Sequence, residues 1–287
     1  MSNLPILAML FRFNIGDYFE TFIEFLTDNI DWLFDGISAV VEGMIDAFES
    51  ALAFPPAIVL ILIITLLAWL AAGRKLGLAI GTFLGLFLID SINLWAEATE
   101  TIALILVASF IALLIGIPTG IFASRNKGVS ENVIRPVLDF MQTMPAFVYL
   151  IPAVIFFGLG TVAGAIATII FSMPPVVRLT NLGIRQVPAE VVEAGKSLGS
   201  TPKQLLFKVQ LPIALPTILA GVNQTILLAL SMVVIASMIG AGGLGDPVLQ
   251  GITSLRIGTG FEGGIAVVVL AMILDRITQA LGESTSK

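Results

Sequence analysis

EVVEAGKSLGSTPKQLLFKVQ, residues 190–210, is a polar island set between two of the longest charge-free runs of the chain, 140–177 and 209–245. Three lysines, two glutamates and a Gly-Ser-Thr-Pro break fall in this one stretch. Such a loop has to sit in water, and its compact shape marks it as a place where something docks. The flanking runs have the opposite requirement. A span needs about 20 apolar residues at 1.5 Å rise each, so the run 140–177 is long enough for two helices. The runs 50–73 and 101–124 hold one each, and shorter ones lie at 76–89 and 263–274.

Composition agrees with that reading. Hydrophobic residues make up 57% of the 287 and charged residues 12%, with a mean hydropathy of +1.03. These values place the chain among all-α polytopic membrane proteins and not among soluble domains. Helices are expected near 56–73, 76–95, 101–122, 137–157, 161–178, 213–240 and 263–281, about seven spans in all. Pro145, Pro152, Pro174, Pro175 and Pro216 fall within or beside spans. They are read either as bends lining an aqueous path or as packing kinks. Gly158, Leu159 and Gly160 are expected to close a tight hairpin between 137–157 and 161–178.

Cys and His are both absent, which removes thiol redox chemistry, disulfides and imidazole acid–base catalysis, and makes a zinc site a poor reading. The start, MSNLPILAMLF, has no basic region and only a brief apolar run, so it does not read as a cleaved signal peptide. With 1–55 outside, 12 of the 14 basic residues fall on the cytoplasmic side, leaving only Arg12 and Arg256 outside. The positive-inside rule then puts the N-terminus out, the C-terminus in and the polar island in the cytoplasm.

Ahead of the first span, Asp17, Glu20, Glu24, Asp28, Asp31, Asp35, Glu42, Asp46 and Glu49 recur at helical steps. They draw an acidic stripe down a helix over 17–52 whose other faces carry Phe25, Leu33, Phe34, Val41 and Ile45. This helix is expected to lie in the membrane interface, held by its apolar side. It is either a scaffold or a passive collar.

Within the island, Glu190 to Leu198 reads as a helix, Gly199 as its left-handed cap and Pro202 as the opening of the next helix. The product is a helix-turn-helix knob. Val191, Val192, Leu198, Leu205, Leu206 and Val209 are expected to form an apolar side fit for a partner's groove. Gly195-Lys196-Ser197 is the tail of a phosphate-binding loop in appearance only. Position 190 is Glu where a Gly is required, and no strand precedes it. This chain therefore does not bind ATP by that motif.

Glu193, Ala194 and Gly195, followed after three residues by Gly199 and after nine more by Val209, Gln210, Leu211 and Pro212, resemble the EAA signature of ABC importer permeases. Gly195 stands for the usual second Ala, and Val209 for Ile. The resemblance widens over residues 60–282. LDFMQTMPAFVYLIPAVIFFGLG (138–160), PPVVRLTNLGIRQVPAEVVEAGKSLG (174–199), LPTILAGVNQTILLALSMVVIASMIGAGGLG (215–245) and LDRITQALG (274–282) are similar to the permease subunit of glycine betaine and proline betaine importers.

That resemblance implies a type I ABC importer permease fold. Residues 1–55 would form an extracytoplasmic or interfacial amphipathic segment, 56–100 two accessory helices, and 101–287 a five-helix core with its coupling loop at 186–212. It implies ABC ATPase subunits that bind ATP and magnesium, a separate extracytoplasmic binding protein, and a second permease copy. It also implies a bacterial or archaeal inner membrane, with membrane lipid and no nucleic acid as surroundings. No cofactor is expected in this chain, and no enzymatic activity.

Glu193, Ala194, Gly195, Gly199, Val209, Leu211 and Pro212 would couple to the ATPase. A betaine has a quaternary ammonium that no proton can neutralise, so its passage suits aromatic faces, amides and hydroxyls. Met141, Gln142, Thr143, Phe147 and Tyr149 on one helix, with Asn223, Gln224 and Thr225 on another, are the candidates. The alternative is interhelical hydrogen bonding at a dimer seam. Asp90, Asp139 and Asp275 sit near helix ends and are read as interfacial, without chemistry. Choline, carnitine, proline or taurine are alternative solutes for the same machine. An ion-driven carrier would place ionisable groups at mid-membrane, and the four long runs contain none.

Overall fold

The computed structural model describes residues 15–285, so Arg12, Lys287 and the segment 1–11 lie outside the described residues. Helices and their connecting turns make up the described chain, with no strand among the described residues. A long helix α1 (Ile15–Ala53) is followed by two short apolar helices, α2 (Ala57–Ala71) and α3 (Leu76–Ser91). Next come α4 (Trp95–Arg125), α5 (Lys127–Thr143), α6 (Ala146–Phe157) and α7 (Thr161–Arg185). The island supplies α8 (Ala189–Ser197) and the start of α9 (Pro202–Ile239). Short α10 (Gly245–Thr253) and long α11 (Ile257–Thr285) complete the chain.

Four helices, α4, α7, α9 and α11, are long and apolar enough to cross a membrane alone, and up to six spans result if each bent pair counts as one. The expected helix 137–157 is not continuous. It is two helices, α5 and α6, meeting at 109°, because Met144 precedes Pro145 and is forced into extended backbone (φ −71°, ψ 133°). The expected 161–178 instead continues as one span to Arg185, with a seam at Met173 where one helix ends and Pro174 and Pro175 take the first-turn positions of the next. Helix α1 bends once, at Ile30 (φ −131°, ψ 24°).

Lipid tails are as apolar as leucine, so helices inside a membrane associate through close packing and not through hydrophobic burial. The chain meets that need with glycines. On α4, Gly116 and Gly120 share one face, and a methyl group on either would lie 2.5 Å from Val176 or 2.6 Å from Thr180 on α7. On the adjoining face of α7, Gly221 of α9 would meet Val176 and Leu179 at 3.1 Å, and Gly183 would meet Thr217 at 3.0 Å. Helix α7 is thus clasped between α4 and α9 at backbone distance. Around this stack, Leu86, Ile105, Val233 and Leu270 form a buried core with Ile61.

At the end of the bundle opposite the island, the Gly-rich turn 240–245 is pinned to the start of α4. The Gly243 N–H donates to Glu100 Oε2 (2.9 Å) and the Leu244 N–H to Thr101 Oγ1 (2.8 Å). Asp246 opens α10 there, and burial, with the Glu97 charge adding, pushes its carboxyl above the usual range. Helix α1 lies across the same end. Phe34 stacks on Phe156 at 4.4 Å and meets Phe157 edge-on. Val41 and Ile45 join the core, while the acids from Asp17 to Asp46 stay exposed.

Gly120→Ala is expected to cost roughly 1–3 kcal/mol through overpacking, read as a lowered unfolding midpoint in detergent. Gly128→Ala, whose methyl would meet nothing within 4 Å, should leave that midpoint unchanged or raise it. Asp246→Asn should stabilise at neutral pH. A raised folded-state carboxyl penalises the charged form, so the gain shrinks as pH falls and the wild-type acid takes up its proton. Melting curves at pH 7.5 and pH 5 test this.

Candidate functional site: a helical knob beside a broken helix

Helix α8 ends at Ser197, and Gly199 takes φ +78°, a conformation that costs glycine nothing and other residues strain. The Gly199 N–H bonds back to the Lys196 carbonyl (2.9 Å) and the Ser200 N–H to that of Gly195 (3.1 Å). The next helix opens with a reciprocal cap. Gln204 N–H donates to Thr201 Oγ1 (3.3 Å), Thr201 N–H donates to Gln204 Oε1 (2.9 Å), and Pro202 stands first in the helix. Gly195 is buried, and a methyl there would come within 2.8 Å of Leu205 Cδ1. Glycine at this position lets α8 fold flat onto the start of α9.

The apolar side of the knob differs from the sequence expectation. Leu205 and Leu206 turn inward and are buried, Val209 is half-buried, and Val191, Leu198 and Phe207 are exposed. Leu205 packs against Gly195 inside the knob, and from Leu206 a π-helical turn runs to Gln210, which fits one extra residue into the turn and rotates the faces after it. Glu193, Ala194 and Pro212 are exposed and Leu211 is half-buried.

One arginine mounts the knob on the bundle and a second ties two spans together beneath it, and sequence reading counted both only as positive charges. Arg125, at the end of α4, donates to the Pro202 carbonyl (2.9 Å), and Arg185, at the end of α7, donates to that of Ala123 (3.2 Å). A cleft of ≈ 260 Å³ between knob and bundle is lined by Arg185, Val192, Glu193, Lys196 and Gln210. The one sequence signal was position: each arginine closes a span at its watery end.

The break between α5 and α6 holds the first set of candidate path residues. Pro145 has no N–H to give the carbonyl four residues earlier, that of Met141. The buried Tyr149 hydroxyl donates to it instead, while the Tyr149 ring meets Phe171 edge-on at 5.8 Å. Tyr149 is therefore a staple across the break. Gln142, Thr143 and Phe147 are exposed beside it, and Met141 is half-buried.

The second set lies elsewhere. The break meets α9 at Met232 and Ile235, roughly two turns beyond Thr225, so the two sets do not converge within one chain. Asn223 faces α11, where its Nδ2 donates to Asp275 Oδ1 (2.9 Å) and its Oδ1 accepts from the Thr278 hydroxyl. Gln279 Nε2 also donates to both Asp275 oxygens (2.7 Å). Gln224 is exposed and lines a recess of ≈ 400 Å³ with Asn223 and Pro216, whereas Thr225 is fully buried.

Two of the aspartates read as idle have partners. Besides Asp275, Asp139 of α5 pairs with Arg178 of α7 at 2.7 Å. Neither pairing was visible in sequence, because the partners are far apart in the chain and belong to different helices.

Apolar spans packed through glycines, a broken helix and a polar helical knob at one end make up a membrane-embedded subunit, and its relatives are transport permeases. Residues 116–287 match the family model described as "Binding-protein-dependent transport system inner membrane component". The chain is 48% identical over 285 residues to the glycine betaine/proline betaine transport system permease protein ProW of Escherichia coli (strain K12), covering 96% of this chain and 80% of that one. It is 47% identical to the glycine betaine transport system permease protein OpuAB of Bacillus subtilis (97% and 96% covered). It is 48% identical to the glycine betaine/carnitine transport permease protein GbuB of Listeria monocytogenes (99% and 98% covered). Among solved structures, an inward-facing form of the MetNI methionine ABC transporter superposes with a TM-score of 0.60 at 20% identity, over 65% of this chain and 93% of that one. The chain belongs to the family of binding-protein-dependent transport system inner membrane components, with the type I ABC importer permease fold.

Tyr149→Phe removes only the hydroxyl that serves Met141, and leaves a buried carbonyl unpaired. A cost of roughly 1–3 kcal/mol is expected, measured as a lowered unfolding midpoint, with the Phe171 contact retained.

Proposed function

We propose that the chain is the membrane-spanning subunit of an ATP-driven importer for compatible solutes of the glycine betaine class. The observation that carries this is near-full-length identity of 47–48% to three permeases named for glycine betaine. The family works with ATPase and substrate-binding partners. In this reading ATP and magnesium belong to the ATPase, and a separate binding protein delivers the solute. Two copies of this chain form the path, since one knob serves one ATPase. The charge asymmetry favours the N-terminus outside and the knob in the cytoplasm.

Coupling runs through the knob. Val191, Leu198 and Phe207 offer exposed apolar contact around Glu193 and Ala194, and an ATPase groove receives them. Closure of the ATPase pair draws two knobs together. Arg125 holds the Pro202 carbonyl, so the pull reaches α4 as well as α9, and the glycine-clasped stack moves as a rigid body between two states. The exposed Gln142, Thr143 and Phe147 at the break, with Gln224 on α9, supply polar and aromatic surface that tolerates a zwitterion.

Carnitine, named with glycine betaine for the Listeria relative, is the second reading. Both solutes carry a trimethylated ammonium and a carboxylate, so one path suits both.

The test is uptake of radiolabelled glycine betaine into proteoliposomes holding this chain, its ATPase and its binding protein. Saturable uptake that requires ATP is expected, and ATP-dependent turnover without betaine uptake would overturn the solute. Gly199→Val forces a β-branched residue into positive φ. It should abolish uptake while membrane insertion stays normal, and full uptake by this variant would remove the knob from the coupling route.

A further inference from the structure

Between α3 and α11 lies a groove of ≈ 560 Å³ that the transport reading does not use. Its depth is set by a run of glycines on one face of α3. Gly85 closes the inner end, because a methyl there would strike Val269 Cγ1 at 2.7 Å and Ile273 Cδ1 at 3.1 Å. Gly81 and Gly77, one and two turns nearer the mouth, would project a methyl into open space, with nothing within 4 Å. The groove is therefore a wedge that widens from mid-helix toward the end of α3 that carries Lys75. Most of its wall is apolar.

The mouth is cationic. Lys75 and Arg276 both line it. Lys75 also stands at the N-cap of α3, where no side chain caps the helix, so first-turn N–H groups and the positive helix end point the same way. The neighbouring carboxylate, Asp275, faces the other side of α11, where it accepts from Asn223 and Gln279. One buried polar group lines the wedge. Thr82 is 1% exposed and its Oγ1 has no partner among the described residues.

We propose that this groove is a binding site for one anionic phospholipid, with an acyl chain in the glycine-floored wedge and the phosphate between Lys75, Arg276 and the α3 N-terminus. A basic pocket between helices at the cytoplasmic side is the usual design for anionic headgroups. The leaflet is the cytoplasmic one if the proposed orientation holds, but occupancy itself does not depend on that orientation.

The importer complex, purified from bilayers of one part dioleoyl phosphatidylglycerol to three parts dioleoyl phosphatidylcholine, is delipidated in detergent and its retained lipid counted by mass spectrometry. Phosphatidylglycerol should be retained preferentially, at one molecule per copy of this chain. K75Q/R276Q should lower that preference roughly 30-fold, at about 1 kcal/mol per cation. Gly81→Leu fills the wedge with both cations intact and should release the lipid as well. Loss in the double variant but not in Gly81→Leu would mean surface attraction only and would overturn the site, as would equal retention in all three. Since the chain has no cysteine, Gly81→Cys reports on the remaining occupant. A disulfide between two copies would assign the groove to a second chain and overturn the proposal without touching the transport reading.

Discussion

Everything in this molecule depends on how closely α7 can approach its two neighbours. Inside a membrane the usual driving force for helix association is missing, and dispersion contacts fall off within a fraction of an ångström. Gly116 and Gly120 against one face of α7, with Gly183 and Gly221 at the adjoining one, bring backbone against side chain where a methyl group would not fit. The stack that results is stiff. The small hydroxyls buried in it, Ser109, Ser172 and Thr180, are tolerated because they occupy little volume.

A stiff stack needs its softness elsewhere, and the chain puts it in two places with different chemistry. At Met144–Pro145 the backbone leaves helical geometry altogether, and a tyrosine from the following turn restores the missing hydrogen bond. At Leu206–Gln210 the helix continues but loosens into a π turn. The first device redirects the chain by 109°. The second only rotates it, with Leu206 buried and Phe207 exposed within the turn.

Much of this was legible in the sequence. Charge-free runs located the long spans, and Gly199 with Pro202 located the knob and its turn, since both rest on local rules of backbone geometry. The break at Pro145 was partly legible. Proline there removes a donor from Met141, but sequence cannot tell a kink from a right-angle break, which is decided by what packs on either side. The pairings of Asp139 with Arg178 and of Asp275 with Asn223 were illegible, because they join residues 39 and 52 positions apart on separate helices. The separation of the two candidate path sets follows from the same limit. Each set is polar and intramembrane, yet only the α9 register decides that Asn223 faces α11.

Arg125, which mounts the knob, bonds to the main-chain oxygen of Pro202, and Arg185, which ties α7 to α4 beneath it, bonds to that of Ala123. A carbonyl is present whatever residue occupies its position. The outer face of the knob is thus free to drift, residue by residue, without loosening its attachment to the bundle. Substitutions on that face can change what the knob presents to a partner while the Arg125 anchor stays in place.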